Sequence, residues 1–88
     1  MTENEYNAAL CERVRHLRKR RSLSSKEMAE VLGILADRYR KYESRSPLPP
    51  YLWERFALVV GVSISFLATG KHERFGVNEL VFDEEADR

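Results

Sequence analysis

The sequence has one cysteine, Cys11, so it can form no internal disulfide and offers no cysteine-rich zinc site. Its two histidines, His16 and His72, stand far apart in the chain and lack convincing partners. There is no metal-ligand cluster, no phosphate-binding glycine-rich loop and no nucleophile motif, so neither a metal, a cofactor nor an enzymatic reaction is expected. No apolar run is long enough to span a membrane, and the N-terminus carries no signal-peptide pattern. The expected compartment is the cytoplasm, with no membrane partner. Internal repeats and low-complexity segments are also missing.

What is present is charge, unevenly placed. The formal net charge of the 88 residues is only +1. Residues 1–70 nevertheless hold 12 Lys/Arg against 8 Asp/Glu, whereas residues 71–88 hold 3 against 6. Between residues 13 and 45 the count is 11 against 4, a net of +7. Cations concentrated in one stretch are the footprint expected of a polyanion-binding surface, and the acidic tail hides it from the total.

The stretch Ser24–Arg45 reads as two short helices joined at Gly33. Ser24 with Glu27 forms a capping box, and Met28, Ala29 and Leu32 share one inward face. Gly33 suits the left-handed position that follows a helix. Tyr39 and Tyr42 form the inward stripe of the second helix, while Asp37, Arg38, Arg40 and Lys41 occupy its other faces. This is the geometry that lays a helix in a DNA major groove. It is equally that of an ordinary helical hairpin whose charges keep it in solution.

Around this unit, a first helix is expected from about Asn7 to Arg21, with Leu10, Val14 and Leu17 buried and Cys11 beside them as a small core hydrophobe. Residues 1–6 are expected to fray. Prolines 47, 49 and 50 mark a loop, and Pro49 or Pro50 can open a fourth helix carrying Leu52, Trp53, Phe56, Ala57 and Val60. Gly61 ends it. Ser63 caps a last short helix, which Gly70 closes. The tail holds Phe75, Val77, Leu80, Val81 and Phe82, too apolar for a simple solvated end, and fits neither a clean helical nor a clean strand period.

The order of these signals resembles the lambda-repressor-like, Cro-type helix-turn-helix family, also called the xenobiotic-response-element family. The residues that carry the resemblance are Leu17-Arg18, Leu23-Ser24, Glu27-Met28-Ala29, Leu32-Gly33-Ile34 and Tyr42-Glu43. Downstream they are Pro47, Val60-Gly61-Val62-Ser63, Phe66-Leu67 and Gly70. The resemblance implies an all-α fold of five helices in residues 1–70, followed by a short C-terminal extension, 71–88. It makes the third helix the recognition helix, with Ala36, Asp37 and Lys41 at base-reading positions and Arg38 and Arg40 beside them. It places Ser25 at a phosphate, a contact that Lys26 can take over because serine is shorter than the family's usual glutamine. It gives the loop Ser44, Arg45 and Ser46 backbone donors for further phosphates, and it pairs Arg18 with Glu43 in a buried ion pair. Where the family has Ser or Thr before the recognition helix this chain has Leu35, which cannot cap. Where it has Gln or Arg, this chain has Ala36, which can only touch a thymine methyl.

The leading expectation is a sequence-specific DNA-binding transcriptional regulator, a repressor, holding a palindromic operator in double-stranded DNA as a homodimer. Lys41 and Arg38 are the expected base readers and Arg40 the expected phosphate contact. Asp37 either accepts from a cytosine amino group, holds Arg38 or Lys41 in place, or serves the helix dipole. Two copies would reach half-sites about 34–36 Å apart. Because the cationic stretch must face DNA, the dimer contact is expected from Ile64 and Phe66 with the tail residues Phe75, Val77, Leu80, Val81 and Phe82. The alternative for the tail is that it folds back on its own domain. The alternative function is an antitoxin, which would bind DNA through the same helices and a toxin protein through the apolar tail.

Overall fold

A computed structural model describes residues 1–71 of the chain, so the expectations placed on Phe75, Val77, Leu80, Val81 and Phe82 lie outside the described residues. The described part is all-helical. Five helices follow in order: α1 (Glu3–Arg20), α2 (Ser25–Leu32), α3 (Ala36–Lys41), α4 (Trp53–Val60) and α5 (Ile64–Thr69), with a single 3-10 turn (Pro50–Leu52) leading into α4.

The first helix begins four residues earlier than its apolar stripe suggests. Thr2 and Glu5 form a capping box in which the Thr2 hydroxyl accepts from the Glu5 amide and the Glu5 carboxylate accepts from the Thr2 amide. Residues expected to fray are therefore the capped first turn. Tyr6 adds a tertiary tie, its hydroxyl donating to the Ala68 carbonyl at 2.7 Å. Arg13 and Arg20, seven residues apart on the same helix, cover the exposed carbonyl ends of α5 and α4 by donating to Leu67 and Val60.

One core joins all five helices. Leu10, Val14 and Leu17 of α1 meet Met28, Ala29 and Leu32 of α2, Tyr39 of α3, Leu52, Phe56 and Val60 around α4, and Leu67 of α5. Tyr42, just past α3, is buried too. Leu48 is a core residue that lies inside the proline loop, where no periodicity announces it. The Trp53 indole holds that loop in place by donating to the Leu48 carbonyl at 2.7 Å, and is itself half-buried.

The short helix α3 is anchored from below. Arg18, in the last turn of α1, makes a two-pronged contact with Glu43: Nε donates to Oε2 at 2.7 Å and Nη2 to Oε1 at 3.0 Å. Its Nη1 donates to the Leu23 carbonyl at 2.7 Å, and the Tyr39 hydroxyl donates to Glu43. The two charged side chains are only 12% and 9% exposed. The hydrogen bonds to Glu43 push the Arg18 guanidinium up, which keeps it charged. Burial first, and Glu43 second, push the Tyr39 phenol well above its ordinary value, so it stays a donor.

Ser22, in the α1–α2 connection, has φ of 60°, a left-handed backbone that glycine adopts more cheaply.

Both features can be checked by unfolding. Replacing Glu43→Ala leaves a charged Arg18 and the Tyr39 hydroxyl buried without their acceptor, and is expected to cost about 3 kcal/mol in a urea melt. A loss below about 1 kcal/mol would mean the pair behaves as a solvated surface contact. Ser22→Gly is expected to raise stability by about 0.5–1 kcal/mol, since relief of the left-handed strain exceeds the added chain entropy; a lowered midpoint would contradict this.

Candidate nucleic-acid interface

α2 and α3 meet at a sharp turn. Ser24 caps α2 by accepting from the Glu27 amide at 3.0 Å, and Glu27 returns the bond by accepting from the Ser24 amide at 2.8 Å. Gly33 ends α2 at φ 75°, and a β-carbon placed there would meet nothing within 4 Å, so backbone conformation alone asks for glycine. α3 then starts without help. Leu35 makes no side-chain cap and is 77% exposed, an apolar side chain in water where a hydroxyl would have stabilised the helix.

At about 100° per residue, α3 sets Asp37 and Lys41 on one outward strip, which Ser44 continues in the turn beyond. Arg40 falls on one shoulder of the strip and Arg38 on the other. Asp37, Arg40, Lys41, Ser44 and Arg45 line a shallow open concavity. Arg40 Nη1 donates to Asp37 Oδ1 at 2.7 Å. Asp37 therefore holds Arg40, not Arg38 or Lys41, and because both groups are exposed the pair contributes little stability. Ala36 is half-buried against the core.

Arg38 turns away from the strip. Its Nε donates to the Tyr42 hydroxyl at 3.1 Å and its Nη2 to the Tyr51 hydroxyl at 3.2 Å. The hydrogen bond to Tyr42 leads the causes that push its guanidinium up. Sequence reasoning misses Tyr51. Its one signal is that of an aromatic residue directly after two prolines and outside the apolar stripe of α4.

The loop beyond α3 differs from expectation. The amides of Ser44, Arg45 and Ser46 all donate to the Lys41 carbonyl, at 3.2, 3.0 and 2.9 Å. The Ser44 hydroxyl donates to the Arg40 carbonyl, and the Cys11 thiol donates to the Ser46 carbonyl at 3.3 Å. Burial, and then Glu43, push that thiol up and favour its neutral form. The three amides expected to meet phosphates are thus used within the turn, and the exposed Arg45 side chain is what the loop presents. At the start of α2, Ser25 is half-buried and Lys26 exposed, and the first two amides of the helix have no intrahelical acceptor.

At the far end of the fold, Ile64 is exposed on α5, whereas Phe66 is half-buried against the core. Among the described residues no helix is long and apolar enough to cross a membrane.

Over 75 residues the chain is 33% identical to the SPbeta prophage-derived uncharacterized HTH-type transcriptional regulator YonR of Bacillus subtilis (strain 168), an alignment that covers 84% of this chain and 69% of that protein. No family model and no solved structure matches the chain. The capped α2, the left-handed glycine and the cationic α3 are the parts of a helix-turn-helix, and the relative aligns across most of both lengths: the chain belongs to the helix-turn-helix type transcriptional regulators.

Proposed function

We propose that this protein is a sequence-specific DNA-binding repressor of the lambda-repressor-like, Cro-type group, and that α3 enters the major groove of a palindromic operator. The observation that carries this reading is the outward strip of α3. Asp37 and Lys41 stand clear of the fold there, with cations on both shoulders and Arg45 just beyond. Lys41 is the principal base reader, presenting a compact cation to guanine O6 and N7. Asp37 fixes Arg40 close to the strip. Lys26, Arg40 and Arg45 supply the salt-dependent attraction to phosphates, and the free amides at the start of α2, beside Ser25, add donors at the groove edge. Ala36 and the exposed Leu35 leave only apolar contact for the first reader positions, so discrimination rests on the later ones.

Residues 1–70 form the DNA-binding domain in this reading, and two copies occupy the operator. Ile64 supplies part of the contact between them, with Phe66 behind it and the segment 71–88, through Phe75, Val77, Leu80, Val81 and Phe82, supplying the remainder. Five apolar residues are better covered by a partner than left in water, at roughly 25 cal/mol per Å².

DNA fragments selected from a random pool, followed by titration at several salt concentrations, test the first part. Lys41→Ala is expected to relax preference at one base position, with a loss of about 1–3 kcal/mol confined to the selected site. Full-strength specific binding by the triple variant Arg38→Ala, Arg40→Ala, Lys41→Ala would contradict the assignment of α3 as the reading helix. Removal of residues 71–88 tests the second part: the shortened protein is expected to sediment as a monomer and to lose affinity for its palindrome. If it remains a dimer with unchanged affinity, the segment is not the dimer element.

A further inference from the structure

We propose that Tyr51 is a DNA-contacting residue and that it works with Arg38, the two side chains together gripping one backbone phosphodiester at the edge of the groove. The inference rests on the DNA-binding reading given above and changes the role of Arg38 within it, from base reader to the contact that fixes how α3 sits.

Arg38 is an exposed guanidinium that is nevertheless held at two points, by the hydroxyls of Tyr42 and Tyr51. Both acceptors are neutral. The ion pairs among the described residues join Arg15 to Glu12, Arg18 to Glu43 and Arg40 to Asp37, so Arg38 keeps its full charge while its direction is set. A free arginine side chain has much rotamer freedom to lose on binding, and this one has lost part of it beforehand. Two of its five N–H donors are used by the tyrosines, and three remain in the planar fork that suits phosphate oxygens.

Tyr51 completes the grip. It sits in the 3-10 turn that leads into α4, thirteen residues after Arg38 and on a different element. The residue is 66% exposed. Because its oxygen accepts from Arg38, its own hydrogen is left to donate outward. Charged N–H groups and a phenolic O–H therefore converge from α3 and from the entry to α4. The place also fits. Arg38 occupies the shoulder of α3 opposite Arg40, so when Asp37 and Lys41 face the groove floor, Arg38 and Tyr51 face its wall, where phosphates lie and bases do not.

The test uses the full chain with its selected duplex, and compares Tyr51→Phe and Arg38→Gln with the parent protein. Thermal melts of both variants establish that they remain folded. Tyr51→Phe is expected to weaken binding about fivefold, equally for the selected site and for its single-base variants, with an unchanged salt slope because the lost donor is neutral. Arg38→Gln is expected to weaken all sites alike and to lower the salt slope by about one. In a scan that replaces single phosphates by uncharged methylphosphonates, one position should weaken the parent protein, weaken Tyr51→Phe because Arg38 is kept, and leave Arg38→Gln unaffected. Three results would overturn the proposal. Tyr51→Phe binding as tightly as the parent at every salt concentration would mean that the hydroxyl neither touches DNA nor affects binding by holding Arg38. Arg38→Gln changing the preferred base at one position would return Arg38 to the readers. Failure of the parent protein to bind any duplex would remove the DNA-binding reading itself, which the first two results leave standing.

Discussion

Glu43 receives hydrogen bonds from three directions: both prongs of the Arg18 fork and the hydroxyl of Tyr39. The orientation of α3 depends on this junction. Taking two charges out of water is costly, and the cost is offset only where geometry is good and the remaining donors find acceptors. Arg18 meets that condition through its third bond, to the Leu23 carbonyl, which also fixes the connection into α2. One buried pair thus ties the end of α1, the entry to α2 and the exit of α3 into a single unit. A purely apolar contact could stabilise the same helices but would let them slide, whereas a two-pronged contact fixes direction.

That constraint matters because α3 has little stability of its own. It is six residues long, begins at an uncapped Leu35, and passes directly into a turn in which three amides share the Lys41 carbonyl. Helices of this length do not persist in isolation. Tyr39, fully buried, supplies the apolar anchor, and Glu43 holds the hydroxyl that would otherwise be stranded inside. The outer side of the helix is left to charged residues. Apolar anchoring below and charge above divide the single run from Asp37 to Glu43 between them.

Much of this was legible in the sequence where local chemistry decides structure. The Ser24–Glu27 box, the left-handed Gly33, the Ser63 cap and the stripe Leu10, Val14, Leu17 each carry their own signal, and each stands in the structure where its spacing puts it. The Thr2–Glu5 box has the same spacing, but no apolar run follows closely enough to mark it as a helix start. Other features arise only from tertiary contact. Leu48 is buried because the loop folds over the core, and nothing in Ser-Pro-Leu-Pro-Pro distinguishes a leucine that turns in from one that turns out. The partners of the surface arginines are of the same kind. The sequence suggests Asp37 as a partner for Arg38 or Lys41, whereas in the folded chain it holds Arg40 and Arg38 is left to the tyrosines.

On the proposed reading, one face meets DNA, made by the start of α2, the outward strip of α3 and the turn after it. Backbone amide shifts of the isotopically labelled protein, followed by NMR as duplex carrying the selected site is added, test this most directly. Large changes are expected to gather at Ser25 and Lys26, at residues 35–41, and around Arg45 and Tyr51, while the first two turns of α1 stay still. Changes centred on α1 or spread evenly over the fold, with α3 unmoved, would contradict it.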